Sequence, residues 1–376
     1  MSVALVNGRV LLGDAVVEGV AVVVEGGRIA AVLPAAEARA DETRDLGGAL
    51  LLPGFIDTQV NGGGGVLFND APTVETIAAI GAAHRAYGTT GFLPTLISDD
   101  LSVIAEAIAA TDAAIEQGVP GVLGIHIEGP FLNAERKGIH DASKFRVLDD
   151  AAFALLTSLK RGRTLVTLAP EKTTPEAIRR LADAGVIVAA GHTNADYDTA
   201  AKALRSGATG VTHLFNAMSP LTSRAPGVVG AALESDAWCG IIIDGAHIHP
   251  ATLRIALASR PLDRFMLVSD AMPTVGGPKT FNLQGREITV ANGVCVGPDG
   301  TLAGSDLDMA GAVRNAMSMT GLTLAQAANM AARSPAAFLG IEKEAGSIAP
   351  GLRADLVVAD DQLNVIETWI SGEPRR

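Results

Sequence analysis

The chain has 376 residues, 48% of them hydrophobic but only 4% aromatic. That is enough apolar material for a large core, and its abundance of small side chains suits helix-on-strand packing. A formal net charge of −12 and a pI near 5.0 exclude a broad cationic nucleic-acid surface, so an anionic ligand must be met by a local cationic site. Cys239 and Cys295 are too few for a disulfide framework and form no C-x-x-C pair, so both read as buried, inert thiols. No early segment has the pattern of a secretory leader and no run of about 18 apolar residues occurs; the expectation is a cytoplasmic protein with no membrane or nucleic-acid partner.

The opening "VALVNGRVLLGDAVVEGVAVVVEGGRIAAVLP" alternates apolar residues between Asn-Gly, Gly-Asp and Gly-Gly turns, which predicts short antiparallel strands over residues 1–52. Eight apolar runs then suit buried parallel strands, at 49–60, 91–97, 122–128, 164–169, 186–192, 210–214, 240–244 and 265–270. Helical patterns such as "TVETIAAIGAAHRAYG" and "PEAIRRLADAG" separate them, several ending at a glycine suited to a C-cap. Eight such units predict an α/β fold, a (β/α)8 TIM-like barrel over residues 53–343. An open doubly wound sheet is the alternative, but no G-x-G-x-x-G follows a first strand. Residues 275–303 revert to strand-and-turn chemistry, read as a β-hairpin insertion after the eighth strand, and two helices finish the barrel. Residues 344–376 have the texture of the amino-terminal segment, so both chain ends are expected to pair in one small β-sandwich domain.

In such a barrel the active site forms at the C-terminal ends of the strands. Four polar residues end predicted strands: Glu128 in "GIHIEGPF", His192 in "VIVAAGHT", His213 in "GVTHLFNAM" and Asp270 in "FMLVSDAM". A carboxylate and two imidazoles make a three-ligand set for a catalytic zinc-like ion, and Asp270 is placed to act as the base. The stretch "GFIDTQVNGGGG" ends the first strand with Gln59 and Asn61 two apart, hence on one face, where a pair of histidines would bind metal.

The ordered set "GFIDTQVNG", "HIEGPFLN", "KGIH", "AGHTNA", "THLFNAM", "DGAHIHP", "VSDAM" and "DGTLAGS" resembles the N-acetylglucosamine-6-phosphate deacetylases of the amidohydrolase superfamily over nearly the whole chain. The resemblance implies one divalent metal per subunit, held by Glu128, His192 and His213. Zinc is the first expectation, with Fe2+, Co2+ or Mn2+ as alternatives. Gln59 and Asn61 replace the H-x-H pair that binds a second metal in many relatives and would instead bond the metal water or neighbouring ligands. It further implies that Asp270 takes a proton from water and delivers it to the leaving amine, while His140 bonds the substrate carbonyl or its oxyanion.

On the same grounds His247 contacts sugar hydroxyls and Asn216 and Ala217 touch the phosphate. Arg224 reaches a neighbouring subunit's site, which implies a homodimer, and Leu302 and Ala303 wall the acetyl group. Asp306 and Asp308 depart from the commoner uncharged form of that segment. His84, His126 and His249 read as structural, His126 lying below Glu128 on the same strand face. The expected reaction is hydrolysis of the acetamide of N-acetylglucosamine 6-phosphate; the alternatives are the galactosamine epimer or a non-catalytic sugar-phosphate-binding barrel. A dihydroorotase or hydantoinase would require the missing H-x-H.

Overall fold

The computed structural model describes residues 1–291 and 293–375. Its centre is a parallel sheet of eight strands in sequential order: β1 (Phe55–Val60), β2 (Thr89–Ile97), β3 (Gly124–Glu128), β4 (Arg163–Leu168), β5 (Ile187–Ala190), β6 (Ala208–Val211), β7 (Trp238–Ile241) and β8 (Phe265–Leu267). The sheet closes on itself where the Asp270 N–H donates to the Gln59 carbonyl (3.0 Å) and Val60 bridges Ala271. This is the expected barrel.

Helices α1 (Val74–Arg85), α2 (Leu101–Glu116), α3 (Asp150–Leu156), α4 (Pro175–Asp183), α5 (Tyr197–Arg205), α6 (Gly227–Glu234) and α7 (Pro250–Ala258) follow β1 to β7 in turn. Several start at a side chain that accepts an otherwise orphan N–H: Thr73 from Thr76, Asp149 from Ala152, Thr174 from Ala177 and Asp196 from Thr199. Each such cap stabilises its helix by ~1 kcal/mol and fixes where the preceding loop must end. Residues such as Ile77, Ile104, Ile108, Ile178 and Leu181 then pack against the outward faces of Phe92, Ile125, Ile127, Val166 and Val188.

The chain ends meet as expected. A six-stranded sheet runs in the order Glu373–Arg375, Val365–Ile370, Leu356–Ala359, Leu50–Pro53, Arg9–Leu12, Ala15–Val17. Leu356 and Val358 share a core there with Leu51, Val10 and, from a second, four-stranded sheet, Leu5, Val22 and Ile29.

Three details differ from the sequence expectation. The run at 49–60 is two strands, Leu50–Pro53 in the small sheet and β1 in the barrel, hinged at Gly54, where any Cβ would overlap the Thr90 side chain. The insertion is a four-stranded antiparallel meander, Thr280–Leu283, Arg286–Ala291, Val294–Val296 and Leu302–Ser305, rather than one hairpin. The last helical pattern is also broken: after α8 (Met309–Thr320), α9 (Leu324–Ala331) stops at Ala332, whose φ of −130° leaves the helical region, and α10 (Arg333–Phe338) restarts the chain.

Candidate metal centre and active site

Glu128 is the last residue of β3, whereas His192 and His213 lie two residues past β5 and β6 and Asp270 three past β8. The sequence placed all four inside strands. They cannot all be, because His192, His213 and Asp270 have φ of 46°, 30° and 51°, left-handed conformations that leave a strand ladder and cost a non-glycine residue about 1 kcal/mol or more each. The backbone turns at these three residues and throws their side chains inward over the barrel mouth.

Three atoms converge there. Glu128 Oε1 is 3.2 Å from His192 Nε2 and 3.1 Å from His213 Nε2, and the two nitrogens are 3.0 Å apart. All three residues are buried. His192 Nδ1–H donates to the Arg136 carbonyl (2.8 Å), so in the neutral ring Nε2 carries a lone pair aimed at a carboxylate. His213 Nδ1 has no partner among the described residues. With the His213 proton on Nδ1, three lone pairs face one another at the centre of the site and a cation between them would satisfy all three; their separations approach the ~3.3 Å edge of a tetrahedron with ~2.0 Å metal–ligand bonds. The donor set therefore fits a zinc-like ion. Burial pushes the Glu128 carboxyl up, but hydrogen bonds and charge from His192 and His213, a role that a bound cation would take over, hold the group well below its usual range.

His140 also approaches Glu128 and His192, its ring centroid 4.4 Å from that of His192, and the three form a possible metal cluster by distance. Chemistry argues against His140 as a ligand. The Ser98 N–H donates to its Nδ1 (3.3 Å) and the Ser98 hydroxyl lies 2.8 Å from the same atom, so the proton sits on Nε2, which becomes a donor towards the cavity. Burial and the charge of His192 push its pKa well down, keeping the ring neutral.

Across the mouth, Asp270 Oδ1 accepts from Asn61 Nδ2 (2.7 Å) and Gln59 Nε2 (3.0 Å), and the same Gln59 amide reaches Glu128 Oε1 (3.2 Å). The amide pair thus supplies N–H groups between two carboxylates. Burial first, then Glu128, pushes Asp270 up to about 6. The glycines beyond Asn61 are a packing necessity: a Cβ on Gly62 would lie 2.5 Å from the Val66 carbonyl, and His84 Nε2 donates to the Gly62 carbonyl at 2.9 Å.

A cavity of about 340 Å3 opens over this cluster, lined among others by Asn61, Glu128, His140, His192, His213, Asn216, Ala217, His247, Asp270 and Leu302. His247 is held by Asp244, whose Oδ2 accepts from Nδ1 at 2.6 Å. Ala303 departs from expectation: Leu302 and Gly304 face the cavity, and the strand's period of two turns the Ala303 methyl into the core beside Ile97, Met272 and Cys295. Arg224 is exposed on the loop before α6, outside the cavity lining of this chain. Asp306 pairs with Lys279, Asp308 caps α8 through the Gly311 N–H and His249 caps α7, so all three have structural partners. His126 lies beneath Glu128, between the hydroxyls of Thr95 (3.1 Å) and Thr167 (2.8 Å).

Sequence reading missed Arg136, Ser98 and Asp244. Arg136 is the one Lys or Arg side chain in the cavity lining among the described residues. Its signal was the "ERK" run on the loop between "HIEGP" and "GIH".

Residues 50–375 match a profile described as the amidohydrolase family, and residues 3–51 one described as the NagA composite domain. An N-acetylgalactosamine-6-phosphate deacetylase of Shewanella sp. (strain ANA-3) is 46% identical over 86% of this chain and 82% of its own. An N-acetylglucosamine-6-phosphate deacetylase of Haemophilus influenzae is 36% identical over 99% of both chains. The crystal structure of N-acetylglucosamine-6-phosphate deacetylase from Pasteurella multocida superposes with a TM-score of 0.97 at 35% identity, over 100% of both chains.

Proposed function

The chain belongs to the amidohydrolase family, and from that premise we propose that it is a cytoplasmic hydrolase that removes the acetyl group of N-acetyl-D-glucosamine 6-phosphate to give D-glucosamine 6-phosphate and acetate. The observation that carries the reading is the pairing, in one cavity, of a lone-pair cluster that fits a divalent ion with an unligated carboxylate opposite it. Residues 53–343 are read as the catalytic barrel and residues 1–52 with 344–376 as the β unit beside it.

Glu128, His192 and His213 would hold one ion, zinc by preference, and when bound it supplies Lewis acidity to the amide carbonyl and to a water. His140 donates its Nε2 proton to the acetamide oxygen, where negative charge grows. Asp270 removes a proton from the attacking water. It then returns that proton to the amide nitrogen, because an amine anion is too poor a leaving group to depart unprotonated. Gln59 and Asn61 hold the Asp270 carboxylate by one oxygen, leaving Oδ2 for this transfer.

The sugar lies beside His247, and Asn216 and Ala217 face its phosphate. A phosphate in a cavity lined by Glu128, Glu135 and Asp270 needs cations, and this chain offers only Arg136 there among the described residues. That supports a homodimer in which Arg224 comes from a second copy. The 46% identical galactosamine-named relative makes the C4 epimer the specific competitor. Acetate release should be compared for N-acetylglucosamine 6-phosphate, N-acetylgalactosamine 6-phosphate and unphosphorylated N-acetylglucosamine. The first is expected to be fastest and the last negligible. No release from any of them by metal-loaded protein would overturn the reading, and a preference for the galactosamine ester would move it to the epimer.

A further inference from the structure

A base that moves a proton twice must hold one orientation, yet Asp270 stands three residues beyond β8 in a left-handed conformation, beside isolated bridges rather than in a continuous ladder. We infer that Asp57, acting through Ser269, is the positioning residue that sets Asp270; the inference rests on the deacetylase reading above. Asp57 and Gln59 are two apart on β1 and share a face. Asp57 Oδ1 accepts from the backbone N–H groups of Gln59 (3.2 Å) and Ser269 (3.3 Å), and Oδ2 accepts from the Ser269 hydroxyl. The Ser269 hydroxyl accepts in turn from the Ala271 N–H at 3.1 Å. One buried carboxylate therefore grips Gln59 and Ser269 directly, and Ala271 through the Ser269 hydroxyl.

The rest of the seam follows the same plan. The Asn61 and Gly62 N–H groups donate to the Ala271 carbonyl (2.9 and 3.0 Å), the Ser305 hydroxyl donates to the Ser269 carbonyl (2.5 Å), and the Ser305 N–H donates to the Asp270 carbonyl (2.9 Å). Every other adjacent strand pair of the barrel is joined by a run of ladder partners, whereas among the described residues the β1–β8 seam has the single bridge Val60–Ala271. The side-chain oxygens of Asp57, Ser269 and Ser305 thus reinforce a seam that has only a few backbone bonds where the base is mounted. Three donors meet on Asp57, and a carboxylate accepts all three, while an asparagine would set its amide hydrogens against one of them. Displacing a reacting group by about 1 Å costs on the order of a hundredfold in rate.

The test uses Ser269→Ala, Asp57→Asn and the double variant in the metal-loaded full chain. It measures kcat, KM, metal content and thermal unfolding, with a crystal structure of Ser269→Ala. The expectation is kcat lower by about ten- to a hundredfold in each single variant, KM within about twofold and metal content unchanged. The double variant should lose no more than the worse single, because both act along one path. In the Ser269→Ala crystal, Asp270 should leave the 2.7 Å contact with Asn61. A lowered melting temperature with kcat preserved, or additive losses in the double variant, would overturn the positioning role. If the unsubstituted protein releases no acetate, the deacetylase reading fails by itself, and the crystal still decides: Asp270 unmoved in Ser269→Ala refutes the positioning.

Discussion

Two halves of one barrel mouth face each other with opposite chemistry. Over β3, β5 and β6, Glu128 Oε1, His192 Nε2 and His213 Nε2 lie within 3.2 Å of one another, and the His192 ring proton is given to the Arg136 carbonyl. Over β1 and β8, the Asp270 carboxylate is met at Oδ1 by two amide donors. On the proposed function, the same strand-end position takes a metal on one side and none on the other. What decides is whether a residue brings a lone pair or an N–H.

Breaking the imidazole half has the largest expected effect. Glu128→Ala should abolish metal binding measured by elemental analysis and lower acetate release by at least about a thousandfold, since a group that activates water is lost with its ligand. On the other half, Asp270→Asn should lower kcat by on the order of a thousandfold while metal content stays unchanged, separating base from ligand. Converting the second half into the first sharpens the contrast. Gln59→His with Asn61→His places two imidazoles beside Asp270 and should raise metal content from about one to about two per chain, with kcat altered by about tenfold or less.

The smallest effect concerns the seam. Burial pushes Asp57 up to about 7 from an ordinary value of 3.8, with the Ser269 hydrogen bond pulling the other way. A carboxyl raised in the folded state contributes stability that is full below its unfolded value, declines as pH rises and is lost above about 7. Asp57→Asn should therefore flatten the fall of stability between about pH 4 and pH 7 in denaturant titrations.

The barrel was legible because its strands are apolar runs spaced by capped amphipathic helices, a pattern that burial imposes on sequence directly. Glu128, His192, His213 and Asp270 were legible as polar residues closing such runs. Their left-handed backbones were not, since nothing in His, His or Asp announces a positive φ; it is imposed by contacts from other strands, such as the Gln59 carbonyl on the Asp270 N–H. The split at Gly54 was hidden because Leu50 to Val60 is apolar on both sides of it, and only the crowding by Thr90 shows why a glycine sits there. Ser98 escaped because its effect is on a proton: it fixes which nitrogen of His140 donates, a choice made across 42 residues of chain. Asp57 escaped for a similar reason, being 212 residues from Ser269.

The central claim, one ion on the imidazole half and none on the amide half, is tested most directly by titrating metal-free protein with Zn2+ while recording bound metal and acetate release from N-acetylglucosamine 6-phosphate. The account predicts that release rises linearly and saturates at about one equivalent per chain. Saturation at two equivalents, or full release before any metal is added, would contradict it.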